Sequence, residues 1–293
     1  MTVLIDKPRW PAHGTLFGHL VSDTSLEELH DLAEAAGLPP RAFDRDHYDV
    51  PASLYDDCVA AGALEAPSRE LVRALRQANL RVTKADWHAD REARRERLRQ
   101  RWPLATGPAD DLLERWSSRG RYYHDLRHLE HCLDSLDVVG ADEPVVALAA
   151  WFHDAVYEGR PGRDEDDSAA LAESTLEPIL PRADVREVAR LVRLTAGHQP
   201  ADADVRGQQL CDADLAILAA DPARYAVYRR DVRREYHEVP LAMFRSGRRQ
   251  VLTHLAALDP LYRTDPGREL WTAPAMVNLA AEIALLEARA RAR

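Results

Sequence analysis

The chain has 293 residues, 46% hydrophobic and 30% charged, with a formal net charge of -10. That length holds one large domain or two ordinary ones, and the balance is that of a folded globular protein rather than a disordered one. The negative charge argues against a protein built to coat nucleic acid, and the apolar runs are too short and too often interrupted by charge for a membrane span.

Three cysteines, Cys58, Cys132 and Cys211, are odd in number, far apart and without a CxxC pair. They read as reduced, packed thiols of a cytoplasmic protein. The opening Met1-Thr-Val-Leu-Ile-Asp6 meets an acid and a proline too early for a signal peptide.

In chain order, strands are expected at Val3–Ile5 and His19–Val21. Thr24-Ser25 followed by Glu27-Glu28 predicts a capped helix start, with Leu26, Leu29, Ala33 and Ala36 on the helix and Gly37 closing it. Ser68 is expected to cap a second helix with Leu71, Val72 and Leu75 on one face, and Leu80–Val82 to form a closing strand. Residues 1–88 therefore read as a small α/β domain. Asp6, His13, His19, Asp23, His47 and Asp49 are dense for so short a segment. Asp6 sits at a strand end, where α/β sites often lie, but the spacing matches no metal or nucleophile motif. The segment Asp6-Lys-Pro-Arg-Trp-Pro-Ala-His-Gly with His47-Tyr-Asp resembles a bacterial domain family of unknown function, which implies no activity.

Residues 89–104 are highly charged, and the i to i+3 pairs of Glu92 with Arg95 and Glu96 with Arg99 predict a solvated helical linker, ended by Trp102-Pro103. From 105 to 293 the periodicity is helical throughout, giving α+β overall: the small α/β domain, then an all-α domain. Expected helices are 110–118, 121–136, 143–156, 165–180, 184–196, 214–220, 222–236, 240–258 and 274–290. Val145–Phe152 is apolar all round and should be the central buried helix.

Chemistry concentrates in three segments of this second part: Tyr123-His-Asp-Leu-Arg-His128, His153-Asp154 at the end of the apolar run, and Cys211-Asp-Ala-Asp-Leu215. A His, then His-Asp, then a distant Asp can supply imidazole and carboxylate ligands to one divalent cation. His124 and His128, four apart, are expected on one helical face. A charged pair closing a fully apolar helix would otherwise be buried unaided.

These segments resemble the HD-domain superfamily of metal-dependent phosphohydrolases, over residues 105–290. The resemblance implies metal ligands at His128, His153, Asp154 and one of Asp212 or Asp214. The Ala213-Asp214-Leu215 context favours Asp214 and leaves Asp212 a cap or an outer acceptor. It further implies that His124 is the proton donor, and that His198 binds a second metal or contacts phosphate, although a helix-terminal His explains His198 equally. Glu165 is a further candidate for the pocket. Arg121 and Arg127 are the better of the arginines, which include Arg234, Arg245 and Arg248, for gripping a phosphate through a bidentate fork.

The implied reaction is hydrolysis of a phosphoester in a nucleotide or other small phosphorylated metabolite, with Mn, Fe, Co, Ni, Zn or Mg as the metal. No membrane or nucleic-acid partner is expected, and a homo-oligomer is left open. Two other readings stand beside it: a diiron oxygenase of the same fold, for which only His198 offers an extra histidine, and a non-catalytic, metal-stabilised ligand- or partner-binding module.

Overall fold

The computed structural model describes residues 2–160 and 162–291. The chain is mixed α/β, with a small N-terminal sheet and a mostly helical remainder, in two compact units, Met1–Asp90 and Arg91–Arg293. No described helix is long and apolar enough to cross a membrane.

The first unit is built on strands β1 (Val3–Ile5), β2 (Trp10–Ala12), β3 (Thr15–Ser22), β4 (Phe43–Asp44), β5 (His47–Pro51) and β6 (Leu64–Glu65), with helices α1 (Leu26–Ala35), α2 (Tyr55–Ala60) and α3 (Ser68–Gln77). The sheet runs β4-β5-β3-β1-β6 with β2 folded onto β3. Strand alternation sorts its two faces. Ile5, Leu20, Tyr48 and Val50 pack with Leu29 and Ala33 of α1, while Val21 meets Leu71 and Leu75 of α3. Ser25 caps α1 by accepting from the Glu28 N–H at 3.2 Å.

Two expectations fail in this unit. Pro67 precedes α3, and the Ser68 hydroxyl bonds the Asp6 carboxylate instead of capping its own helix. Leu80–Val82 is not a strand; the Val82 N–H donates to the buried Asp46 at 2.7 Å, and the parallel edge beside β1 is taken by β6. A side-chain acceptor has replaced the ladder partner.

Helix α4 (Lys84–Gln100) runs through the stretch read as a linker. Residues from Arg91 belong to the second unit, since Leu98 is fully buried in its core and the Arg94 and Arg97 guanidinium groups both grip Glu130 at 2.7–2.8 Å. The arginines mark an ion-paired face rather than a solvated one.

The remaining helices are α5 (Ala109–Trp116), α6 (Leu126–Val138), α7 (Pro144–Phe152), α8 (Arg163–Leu176), α9 (Arg182–Leu194), α10 (Val205–Leu215), α11 (Pro222–Glu235), α12 (Leu241–Ala256) and α13 (Asp265–Arg291). Helix α7 is central: Val146 and Leu148 to Phe152 are fully buried against neighbours that include α6, α9 and α10. A second apolar cluster joins the 3₁₀ turn Ala216–Ala219 to α11, α12 and α13.

Three helix limits differ from expectation in ways that matter. Asp125 is extended and caps the Arg127 N–H at 2.8 Å, so α6 begins at Leu126 and His124 lies outside it. Asp204 caps α10, which places Asp214 at the end of a helix rather than its start. Helix α13 begins well before Pro274, where Thr264 accepts from the Gly267 N–H at 3.0 Å.

Candidate metal centre

Helices α6, α7 and α10 bring His128, His153 and Asp214 together, with Cys132 one turn beyond His128 on the same face of α6. These four offer ligand atoms within 4.8 Å of one another, a group that could hold a metal ion. His128 Nε2 lies 3.1 Å from His153 Nε2 and 3.1 Å from Asp214 Oδ1. Asp154 Oδ2 stands 3.3 Å from His153 Nε2 and 3.7 Å from His128 Nε2.

Local packing explains these orientations. His153 ends α7 and donates from Nδ1 to the Ala150 carbonyl at 2.8 Å, which turns the Nε2 lone pair towards the cluster. The Trp116 ring backs both imidazoles, 5.4 Å from His153 and 6.0 Å from His128, and its Nε1 donates to the Trp151 carbonyl. Both histidines are 1% exposed.

Burial opposes charge on His153, but Asp154 and Asp214 outweigh it and raise its pKa well above the ordinary value. His128 is shifted the other way, lowered by burial. Against burial, His153 and its neighbours hold Asp214 well below the usual carboxylate range. The surroundings favour a cation between the two rings. The separations of 3.1–3.7 Å resemble the roughly 3.0–3.4 Å edges of a coordination shell with bonds of about 2.0–2.2 Å. The residues present fit a divalent metal.

Asp212 is not part of this group. Its buried carboxylate accepts from the N–H groups of Arg263 and Thr264 and from the Thr264 hydroxyl at 2.7–3.0 Å, so it organises the start of α13. His198 follows α9 in the left-handed region, at φ 50°, and its Nε2 sits 2.8 Å from Asp214 Oδ2. It therefore touches the oxygen of Asp214 that His128 does not.

A cleft of about 540 Å³ opens in front of the cluster, lined by His124, Asp154, His198 and Asp214 among others. His124 Nε2 is 4.0 Å from Asp154 Oδ2, and its ring stacks on Tyr157 at 4.1 Å. Its Nδ1 meets Glu235 of α11 at 2.6 Å. Burial lowers the His124 pKa, yet Glu235 and Asp154 bring it above the ordinary value. Glu165 also lines the cleft; its Oε2 is buried without a hydrogen-bond partner, and burial raises its pKa.

Neither arginine chosen for phosphate lines the cleft. Arg121 donates to the carbonyls of His124, Asp154 and Ala155 at 2.7–3.1 Å, tying the His-Asp turn to the segment before α6. Arg127 is held by Asp125 and Asp231. Backbone carbonyls and buried acids have consumed both forks. The cation lining the cleft is Arg160, itself paired with Asp164, and His254 lines it too.

Sequence reasoning missed Glu235, Cys132, Arg160 and His254. Cys132 was legible as the i+4 neighbour of His128, but Glu235 is more than 100 residues from its partner.

The chain is thus a mixed α/β protein with a His/Cys/Asp group suited to a metal in its helical unit. The family model described as "Protein of unknown function (DUF4031)" matches residues 3–78, within the first unit. No HD-domain family matches the helical unit, and no curated protein or solved structure matches the chain.

Proposed function

We propose that the helical unit is an HD-type, metal-dependent phosphohydrolase acting on a small phosphorylated metabolite. The observation that carries this reading is a buried His128–His153 pair with Asp154 and Asp214 on its cleft side. A structural metal site is closed by protein ligands, whereas a catalytic one keeps a position open to a cleft.

His128, His153, Asp154 and Asp214 would hold the cation. A divalent metal held by them would supply Lewis acidity towards a phosphoryl oxygen and the attacking water. His198 steadies Asp214 from its far oxygen, 2.8 Å away. His124, kept charged by Glu235, stands at the cleft wall beside Asp154 and donates its Nε2 proton to the departing alkoxide. Arg160, which lines the cleft, supplies positive charge to a bound phosphate, and His254, which lines it too, offers a hydrogen bond.

The test is a panel of phosphorylated metabolites offered to metal-loaded protein, with His128→Ala and His124→Ala beside the parent. His128→Ala should lose metal and turnover together. His124→Ala should keep its metal and slow by about 10²–10⁴, less on nitrophenyl esters whose leaving group needs no proton. Metal loss from His124→Ala, or equal slowing on good and poor leaving groups, would remove the acid role. A metal-loaded parent inert across the panel would remove the hydrolase reading.

A further inference from the structure

The first unit carries a second cluster, on the sheet face covered by α3. His19 and Asp49 are direct cross-strand partners on β3 and β5, and His47 lies two residues before Asp49. Strand alternation therefore sends all three side chains from one face. Asp49 Oδ1 is 3.5 Å from His47 Nε2 and 4.0 Å from His19 Nε2, and the two imidazole centroids are 5.3 Å apart.

Each imidazole turns its other nitrogen to a buried carboxylate. His47 Nδ1 is 2.7 Å from Asp46, and His19 Nδ1 is 3.3 Å from Asp6. Asp46 is anchored in turn by Arg81 at 2.6 Å and by the Val82 N–H at 2.7 Å. Asp6 accepts from the His19 N–H at 2.6 Å and from the Ser68 hydroxyl. Gly18 permits this approach, because a Cβ there would lie 2.4 Å from the Asp6 carbonyl oxygen.

We propose that His19, His47 and Asp49 bind a divalent transition-metal ion, independently of the cluster in the helical unit. A carboxylate behind each imidazole fixes the N–H on Nδ1 and leaves the Nε2 lone pair facing outward, the usual support of a metal-bound histidine. Two imidazole Nε2 atoms and a carboxylate then converge within 4.8 Å of one another, a donor set that a metal ion can hold in place of a shared proton. The 3.5 and 4.0 Å separations are long for hydrogen bonds, and a sub-ångström closure brings them to the about 3.0–3.4 Å of donors around one ion. Imidazole with carboxylate suits Zn, Fe, Co or Ni better than Mg or Ca. Asp49 is about half exposed, so the ion keeps open positions towards solvent for a further ligand.

The test is equilibrium dialysis of the metal-stripped full chain against Zn²⁺ alone, comparing the parent with Asp49→Asn, His47→Gln and His153→Gln, with circular dichroism to check folding. His47→Gln should abolish one class of bound Zn²⁺ that His153→Gln leaves intact, and Asp49→Asn should weaken that class about tenfold or more. A parent with no such class, or His47→Gln and Asp49→Asn proteins that bind as the parent does, would overturn the assignment. If His47→Gln does not fold, the half-exposed Asp49→Asn decides alone.

Discussion

The Glu235 carboxylate holds His124 at two points: Oε2 lies 2.6 Å from the ring Nδ1, and Oε1 accepts the His124 backbone N–H at 2.9 Å. The same Oε1 also accepts the N–H groups of Tyr122 and Tyr123 at 2.7–2.8 Å. One side chain from α11 therefore shapes the segment before α6 and sets the charge of the ring it carries. Burial raises the Glu235 pKa, but His124 and these N–H groups bring it below the usual range, which matches the raised His124.

Glu235→Gln keeps an oxygen for the backbone donors and removes the charge beside His124. Metal content should be unchanged, while turnover of esters with poor leaving groups falls about tenfold or more. Nitrophenyl esters should be affected less. The comparison of the two ester classes, with metal analysis of both proteins, checks this; an equal loss on both classes would make Glu235 a purely structural residue.

Asp212 and Asp214 are two residues apart and should fail differently. Asp214→Ala should reduce metal affinity by more than the about 10–100-fold that an outer partner costs. Asp212→Ala should keep the metal but leave the buried N–H groups of Arg263 and Thr264 without their acceptor, at a cost of about 2–4 kcal/mol. Metal titration and urea unfolding separate the two, and the reverse pattern would exchange their roles.

The helical unit should depend on the charged stretch before residue 105. Leu98 is fully buried in its core, and Arg101 bonds the Leu133 carbonyl and the Asp137 carboxylate at 2.6–2.8 Å. Leu98→Ala should cost about 2–5 kcal/mol. A fragment from 105 should melt lower than one from 84, or fail to fold; equal melting temperatures would return the stretch to linker status.

The three thiols should be silent towards thiol reagents in the native state. All are buried; burial with Asp57 pushes Cys58 to about 11, and burial raises Cys132 and Cys211 further. Since the thiolate is the reactive form, fewer than one thiol per chain should react with Ellman's reagent near pH 8, and all three once guanidinium is added. Rapid reaction of one thiol without denaturant would show that its burial is transient.

How much of this was legible varies with the range of the interaction. The apolar run before His153 specified a buried helix by itself, because a helix apolar on every side has no stable place in water. The capping pair Ser25 and Glu28, and the spacing of His128 to Cys132, are likewise local facts of geometry. Where two local signals competed, the outcome was lost. Asp125 capping α6 moved His124 off the helix that the four-residue spacing had assigned it, and Ser68 preferred a distant carboxylate to its own helix end.

The sequence by itself determined that a small mixed unit precedes a run of helices, and which residue types could meet a metal, since periodicity and donor chemistry are properties of neighbouring residues. Tertiary structure alone decided that Asp214 faces the histidines while Asp212 organises α13, that Arg121 and Arg127 are spent on carbonyls and acids, and that Glu235 reaches His124. It also decided that His19 lies opposite Asp49, through the β3–β5 register. Each of these depends on which buried polar group finds which partner across many residues of chain. Burial makes an unpartnered group costly, and only the packed fold determines which partner is within reach.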